Sequence, residues 1–457
     1  MVSPSATDTA QPIIFISSTD RLKRRPMARR YDSSIVLLLI GFGWLTLASF
    51  IGLGTLIGLI LGTPMLPWVR PVHVHASLVG GVLQMVLGGF LAIVSPPTAG
   101  RLSSHQTYPL TLLAMNGGTA AMLVGFWLRR PIVVGAAGLL VAGASMRIIQ
   151  ILWTRSKHAP SANPGRLYYT VSFLALLSSL ICAGALSLSV ADRFHGYARL
   201  AHIHLGVLGF VVLIIVGAMH GFLPRILHAP LANPALSRIV LIGMPVGMAG
   251  LIGGFLNGSV PIELAAGGLL LVTGGLYVLN QIRTWLASPH RNHAASDHAL
   301  IGTFFLVLTV ILGLLMGINS LSTPPVMPIG TLHVVAYTHM TFIGLIVNTA
   351  MGFLCHQIPF LLAASRVSSN KKRSPYQQRL AVIMDRWRAV QIGSLNLGTM
   401  GLAVVAALTW NVPLSSTSVR VALWMSAGLL LVSFVLFLVK LAMAWGAHPD
   451  EPAHASS

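Results

Sequence analysis

Residues 71–96 read PVHVHASLVGGVLQMVLGGFLAIVSP, an apolar stretch without Lys, Arg, Asp or Glu that begins with two histidines. It is longer than the ~20 apolar residues with which an α-helix crosses the hydrocarbon core of a bilayer. Two later stretches repeat its spacing: Gly follows an aligned histidine by five and by thirteen residues, and Pro stands at the end. The aligned histidines are His75, His204 and His339. Such repetition predicts three similar units, whose repeated helices end at Pro96, Pro224 and Pro359.

The rest of the chain has the composition of a membrane protein. Of its 457 residues, 55% are hydrophobic and 8% are charged, whereas soluble domains carry about 25% charged residues. We therefore predict an all-α integral membrane protein with twelve transmembrane helices in three pseudo-symmetric four-helix units. The predicted helices lie at about 34–62, 71–95, 108–128, 132–153, 168–189, 199–223, 236–256, 263–282, 299–317, 330–358, 388–411 and 419–445.

The distribution of charge predicts the orientation of these helices. The chain has 29 Lys and Arg residues against 9 Asp and Glu residues, which gives a formal net charge of +20. A cytoplasmic N-terminus places most of the basic residues on inside segments, as the positive-inside rule requires. The outside segments then hold only Arg70, Arg129, Arg130, Arg193, Arg199 and Arg420.

The basic balance therefore indicates topology, and we expect membrane lipid and no nucleic acid as a partner. We predict a multi-pass protein of a bacterial-type inner membrane with both termini in the cytoplasm. Its parts are a basic N-terminal tail (1–33), a twelve-helix membrane domain (34–445) and a C-terminal tail (446–457).

Histidines near the start of the second, sixth and tenth predicted helices are the candidate ligands. All three helices run from outside to inside, so these side chains are expected at one depth in the outer part of the bilayer. Two imidazoles that approach one iron from opposite sides make a bis-histidine haem site, and neutral imidazole also binds copper. The candidates are His73, His75, His202, His204, His333 and His339.

The paired histidines, as in His73 and His75, have a geometric meaning. Residues i and i+2 of a helix project ~200° apart, so one helix can serve two centres on opposite faces or use one His and leave the other to bond a neighbour. The repeated glycines have two interpretations, the approach of a flat macrocycle or close packing of a neighbouring helix. Histidines assigned to loops, such as His293 and His298, are predicted to be solvated.

These stretches resemble the catalytic subunit of the haem-copper oxidase and nitric-oxide reductase superfamily, which has twelve helices in three pseudo-symmetric arcs. Residues 70–96 look like its second helix and 336–359 like its tenth, so the resemblance implies low-spin haem ligands at His73 and His339. Residues 201–225 are similar to the family's tenth-helix motif, although they lie at the sixth helix. The family's sixth helix supplies a copper ligand, so the resemblance implies that His202 or His204 takes this role.

Two departures bear on the second site. The family's tenth helix carries H-x-H, and Tyr337 occupies the first of these positions here. The family's seventh helix carries an adjacent His pair for copper, whereas residues 236–256 contain no His. The chain also resembles the NnrS family of haem- and copper-containing membrane proteins of the nitric oxide response. That motif commonly carries an acid after the second His, where this chain has Ala76, Leu205 and Met340.

The leading hypothesis is a haem-dependent membrane oxidoreductase of oxygen or nitric oxide, with electron transfer through a low-spin haem b on His73 and His339. It has one or two haems, and a second haem or copper site would use His75, His202, His204 or His333. A c-type cytochrome or another redox subunit on the outer face would exchange the electrons. Two alternatives stay open: an NnrS-like protein that binds nitric oxide, and a haem-free transporter with a histidine path for protons or metal ions.

Overall fold

The structure is a computed structural model that describes residues 33–94, 107–156, 165–188 and 195–449. All regular secondary structure in these ranges is helical. The predicted N-terminal tail (1–33) lies outside the described residues except for residue 33, and the predicted C-terminal tail (446–457) is described only over 446–449. Pro96 also lies outside the described residues. The prediction of an all-α integral membrane protein is confirmed, because twelve of the described helices are long and apolar enough to cross a membrane.

We label the helices in chain order. The membrane helices are α1 (Ser34–Ile60), α2 (Val69–Ile93), α3 (Tyr108–Trp127), α4 (Pro131–Thr154), α5 (Leu167–Ser187), α6 (His195–Ile226), α7 (Pro234–Asn257), α8 (Val260–Leu286), α9 (Ala294–Asn319), α10 (Thr331–Arg366), α12 (Arg388–Leu408) and α13 (Thr417–Gly446). Between α10 and α12 lies a shorter polar helix, α11 (Asn370–Asp385). Each membrane helix matches one predicted helix, but α11 falls in a segment that was predicted as a loop.

The prolines do not end the two described repeats, so that prediction is wrong for them. Pro224 lies inside α6, which continues to Ile226, and Pro359 lies inside α10, which continues to Arg366. A proline removes only one hydrogen bond of the helix, and packing against neighbouring helices holds a membrane helix together across that gap.

The three helices that carry the repeat form the centre of the protein. In their most apolar windows, 72% of the residues of α2, 61% of α6 and 72% of α10 are buried, against at most 50% in the other membrane helices. Side chains from all three line an apolar cavity of about 100 Å³. Equivalent positions, seven residues after the aligned histidines, contribute Val82, Val211 and Ile346 to its wall. The repeat is therefore also a repeat in space.

Each of the three inner helices contains a π-helical segment at the same place. These segments are eight residues long and begin directly after the aligned histidines, at Ala76, Leu205 and Met340. π-Helix is rare, well under ~1% of residues in globular proteins, and it occurs frequently at functional sites. Three π segments at the same repeat position therefore indicate that the histidines next to them belong to a functional site.

The repeated glycines pack the inner helices against the outer helix that precedes each of them. A Cβ on Gly80 would stand 2.7 Å from Trp44 of α1, and one on Gly344 would stand 2.2 Å from Phe305 of α9. Gly217 approaches Tyr168 of α5 in the same way, at 2.5 Å. Of the two interpretations of these glycines, the contacts favour close helix packing.

Candidate haem site

The two histidines that are expected to share a haem, His73 of α2 and His339 of α10, face each other between these helices. The ring centres of His73 and His339 are 6.2 Å apart, and their ring planes differ by 11°. Each side chain comes from near the N-terminal end of its helix, before the π segment. The fold thus brings together two imidazoles that lie 266 positions apart in sequence (339 minus 73).

The hydrogen bonds of both rings define which nitrogen remains free. Nδ1 of His73 lies 2.8 Å from the carbonyl oxygen of Ala48 in α1, and Nδ1 of His339 lies 2.7 Å from that of Val335. A carbonyl oxygen can only accept, so Nδ1 of each ring carries the proton and donates. The lone pair of each neutral imidazole is therefore on Nε2, which is the arrangement that metal-binding histidines use.

His75 of α2 and His202 of α6 repeat the positions of the first pair. His202 lies two residues before the aligned His204, as His73 lies two residues before His75, and His75 is the aligned histidine of its helix, as His339 is. Nδ1 of His75 donates to the carbonyl of Pro71 at 2.8 Å, and Nδ1 of His202 donates to that of Ser179 at 2.9 Å. Both rings therefore also leave Nε2 free.

The third repeat position lacks the second imidazole. His204 donates from Nδ1 to the carbonyl of Leu200 at 2.9 Å and packs on Phe255, with ring centres 4.6 Å apart. By the repeat, its partner position on α10 is Tyr337, whose hydroxyl approaches Gly313 of α9. A phenol at this position cannot complete a bis-imidazole pair.

His333 has a different environment from the other candidates. Its Nδ1 accepts a hydrogen bond from the backbone N–H of Gly330 at 3.1 Å, and its ring stacks on Trp410 at 4.7 Å. The proton of the neutral ring must then be on Nε2, so neither nitrogen has a free lone pair. These contacts give His333 a capping role at the N-terminal end of α10.

The structure also contains a buried polar group that the sequence did not indicate. His298 was predicted to be solvated, but it is fully buried in α9, where Nδ1 donates to Oδ1 of Asn348 at 2.8 Å. Gln391 of α12 lies next to it and accepts a hydrogen bond from Nζ of Lys440 at 3.0 Å. The prediction for His298 is wrong because α9 begins at Ala294, several residues before the apolar run that set the predicted boundary.

Within the described residues, no group of three or more His, Cys, Asp and Glu side chains could hold a metal ion. A bis-histidine haem needs only two protein ligands, because the macrocycle supplies the others. No protein-family model matches the chain, and no curated protein matches its sequence.

Proposed function

We propose that this chain is a haem-binding membrane protein of the oxidoreductase type, in which His73 and His339 are the axial ligands of a low-spin haem b. The observation that carries the proposal is the distance of 6.2 Å between the two ring centres, with nearly parallel ring planes. When bound, the haem would supply a one-electron redox couple. The two axial ligands and the hydrogen bonds that orient them come from residues of the chain.

The ligand geometry fits a six-coordinate iron. With metal–nitrogen bonds of about 2.0 Å, two imidazoles on opposite sides of one metal ion place their ring centres roughly 6 Å apart. The carbonyls of Ala48 and Val335 fix the two rings about their Cβ–Cγ bonds and raise the basicity of Nε2.

The family resemblance extends this proposal to substrate and partners. Similarity to the haem-copper oxidase and nitric-oxide reductase superfamily supports a small gas, oxygen or nitric oxide, as the ligand of a second centre. Tyr337 replaces the histidine that would bind a high-spin haem there, so that centre differs from the family pattern. The described residues offer no three-histidine set for copper, and copper remains a prediction from the resemblance.

The distribution of charge supports an orientation for the site. We propose that the chain crosses a bacterial-type inner membrane with both termini in the cytoplasm. His73 and His339 then lie near the outer surface, because α2 begins at Val69 and α10 begins at Thr331. An electron partner on that side, a c-type cytochrome or another redox subunit, would approach the haem most closely.

A reduced-minus-oxidised optical spectrum of the purified full chain, with pyridine haemochrome quantification, tests the proposal. We expect a low-spin b-type spectrum in the wild type, its loss from this site in His73→Ala and His339→Ala, and an unchanged site in His204→Ala. His204 is the matched control because it occupies the same repeat position as His339 and makes the same backbone hydrogen bond.

A wild-type chain without haem, after expression with ample haem supply, would overturn the proposal and leave the transporter hypothesis. Haem that is retained in His339→Ala with an unchanged low-spin spectrum would overturn the assignment of the ligands.

A further inference from the structure

His75 projects from α2 on the face opposite to His73. Two residues along a helix correspond to a rotation of ~200°, so the two side chains of one H-x-H motif serve different neighbours. His73 faces α10, whereas His75 packs on Phe126 of α3, with ring centres 4.5 Å apart. By the threefold repeat, His75 faces α6 in the way that His339 faces α2. One helix therefore contributes an imidazole to each of two histidine pairs.

The second pair is built in the same way as the first. In the first pair, His73 is fixed by a carbonyl of the preceding outer helix, Ala48, and His339 by a carbonyl four residues back in its own helix. In the second pair, His202 is fixed by the preceding outer helix, through Ser179, and His75 by the carbonyl four residues back, Pro71.

The repeat explains this likeness. His202 occupies the repeat position of His73, and His75 occupies that of His339, so rotation by one repeat unit carries the first pair onto the second. The same hydrogen bonds leave Nε2 free in all four rings. The second pair consequently offers the same donor set, two neutral imidazoles, at the interface of α2 and α6.

We propose that His75 and His202 are the axial ligands of a second haem, on the opposite face of α2 from the first. This inference rests on the proposed function, because it takes the first pair as a haem site. The third repeat position, with His204 and Tyr337, holds no bis-imidazole haem. The chain then carries two haems, and H-x-H in α2 is the element that links the two centres.

Haem stoichiometry in the full-length purified chain tests the inference. We expect two haems per chain in the wild type and in His204→Ala, and one in His202→Ala, with the signal of the His73/His339 haem retained as proof of folding. His339→Ala should also keep one haem, the other one. In electron paramagnetic resonance, the two single variants should each lose a different low-spin signal.

A ligand exchange adds a readout that a purely structural role would not move. His202→Met keeps an iron ligand, and a His/Met haem has a higher reduction potential than a bis-histidine haem. We expect this variant to retain two haems and to raise the potential of one of them only. A second haem with an unchanged potential would overturn the assignment of His202.

The outcomes separate the two proposals. A wild type with one haem that survives in His202→Ala and is lost in His339→Ala would overturn the second site and leave the proposed function intact. One haem that is lost in His202→Ala and survives in His339→Ala would support the second site and overturn the first. A wild type without haem would overturn both.

Discussion

The imidazole of His73 lies directly against Gly52 of α1, where an added Cβ would stand 2.7 Å from Cε1 of the ring. Real Cβ atoms essentially never approach so closely, so Gly52→Ala must displace His73 from the carbonyl of Ala48 and from its position opposite His339. We expect this variant to lose most of the low-spin haem signal of the first site, or to convert it to a high-spin form, in optical and electron paramagnetic resonance spectra.

Gly54→Ala is the matched control for Gly52→Ala. A Cβ at Gly54 would meet nothing within 4 Å, so this change adds the same methyl group in the same helix without contact. The haem spectrum of Gly54→Ala should equal that of the wild type. Equal spectra for all three proteins would show that the position of the His73 ring does not govern haem binding.

The sequence predicted the fold because its main signals are local. Runs of ~20 apolar residues reveal membrane helices without any knowledge of their packing, and the repeated His, Gly and Pro spacing revealed the three inner helices. The π segments that begin at Ala76, Leu205 and Met340 were not predicted, because their residues have the same hydropathy as the α-helix around them. The polar helix α11 was missed for the opposite reason, since it lacks an apolar run.

The site could be predicted only in part. The family resemblance predicted that His73 and His339 face each other. The spacing of the H-x-H motif predicted that His75 points away from His73. The proposed pairing of His75 with His202 depends on how α2 and α6 are rotated about their axes, which no local signal in the sequence fixes. Likewise, only the fold shows that Gly330 and Trp410 engage His333.

The packing of Gly344 against Phe305 makes a prediction about stability. A Cβ on Gly344 would stand 2.2 Å from Cδ1 of Phe305, whose ring is buried between α9 and α10. Overpacking of this kind costs roughly 1–3 kcal/mol, since neighbouring side chains and backbone must shift. We expect Gly344→Ala to lower the thermal unfolding temperature of the detergent-solubilised chain.

Gly275→Ala in α8 is the control, because a Cβ there meets nothing within 4 Å. It should be neutral or stabilising, by up to about 1 kcal/mol, because Ala is the better helix former. If Gly344→Ala were as stable as this control, α10 would not be packed as tightly against α9 as the structure has it.

Lys440 is a fully buried amine whose side-chain acceptor is Gln391. Its Nζ donates to the carbonyl of Met384 at 2.9 Å and to Oε1 of Gln391 at 3.0 Å. Gln391→Leu removes one acceptor and leaves a buried donor unsatisfied, which costs about 1–3 kcal/mol. The expected result is a lower free energy of unfolding, followed by chemical denaturation in mixed micelles.

A double-mutant cycle separates this loss from lost packing. Replacement of both partners by apolar residues of similar size is often nearly neutral, so Gln391→Leu with Lys440→Met should recover much of the stability lost in Gln391→Leu alone. Strict additivity of the two single changes would show that the hydrogen bond between Lys440 and Gln391 contributes nothing.

His293 caps α9 from outside the membrane helix and should make stability depend on pH. Its Nδ1 accepts a hydrogen bond from the backbone N–H of Ser296 at 3.2 Å, and Nε2 faces the carbonyl of Ile226 at 3.3 Å. Burial holds the pKa of His293 below its ordinary value of 6.5, against the opposing effect of Asp385 and Asp297. The folded protein therefore keeps this imidazole neutral at pH values where the unfolded chain is protonated.

The direction of the effect follows from proton linkage. Because the unfolded chain binds the extra proton, stability is complete above pH 6.5 and is lost as the pH falls below it. His293→Asn keeps a capping acceptor but does not titrate, so it should remove this part of the acid sensitivity. Thermal unfolding of wild type and His293→Asn between about pH 8 and about pH 5 measures the difference, at roughly 1.4 kcal/mol per unit of pKa separation. Parallel curves for the two proteins would contradict a titrating cap at His293.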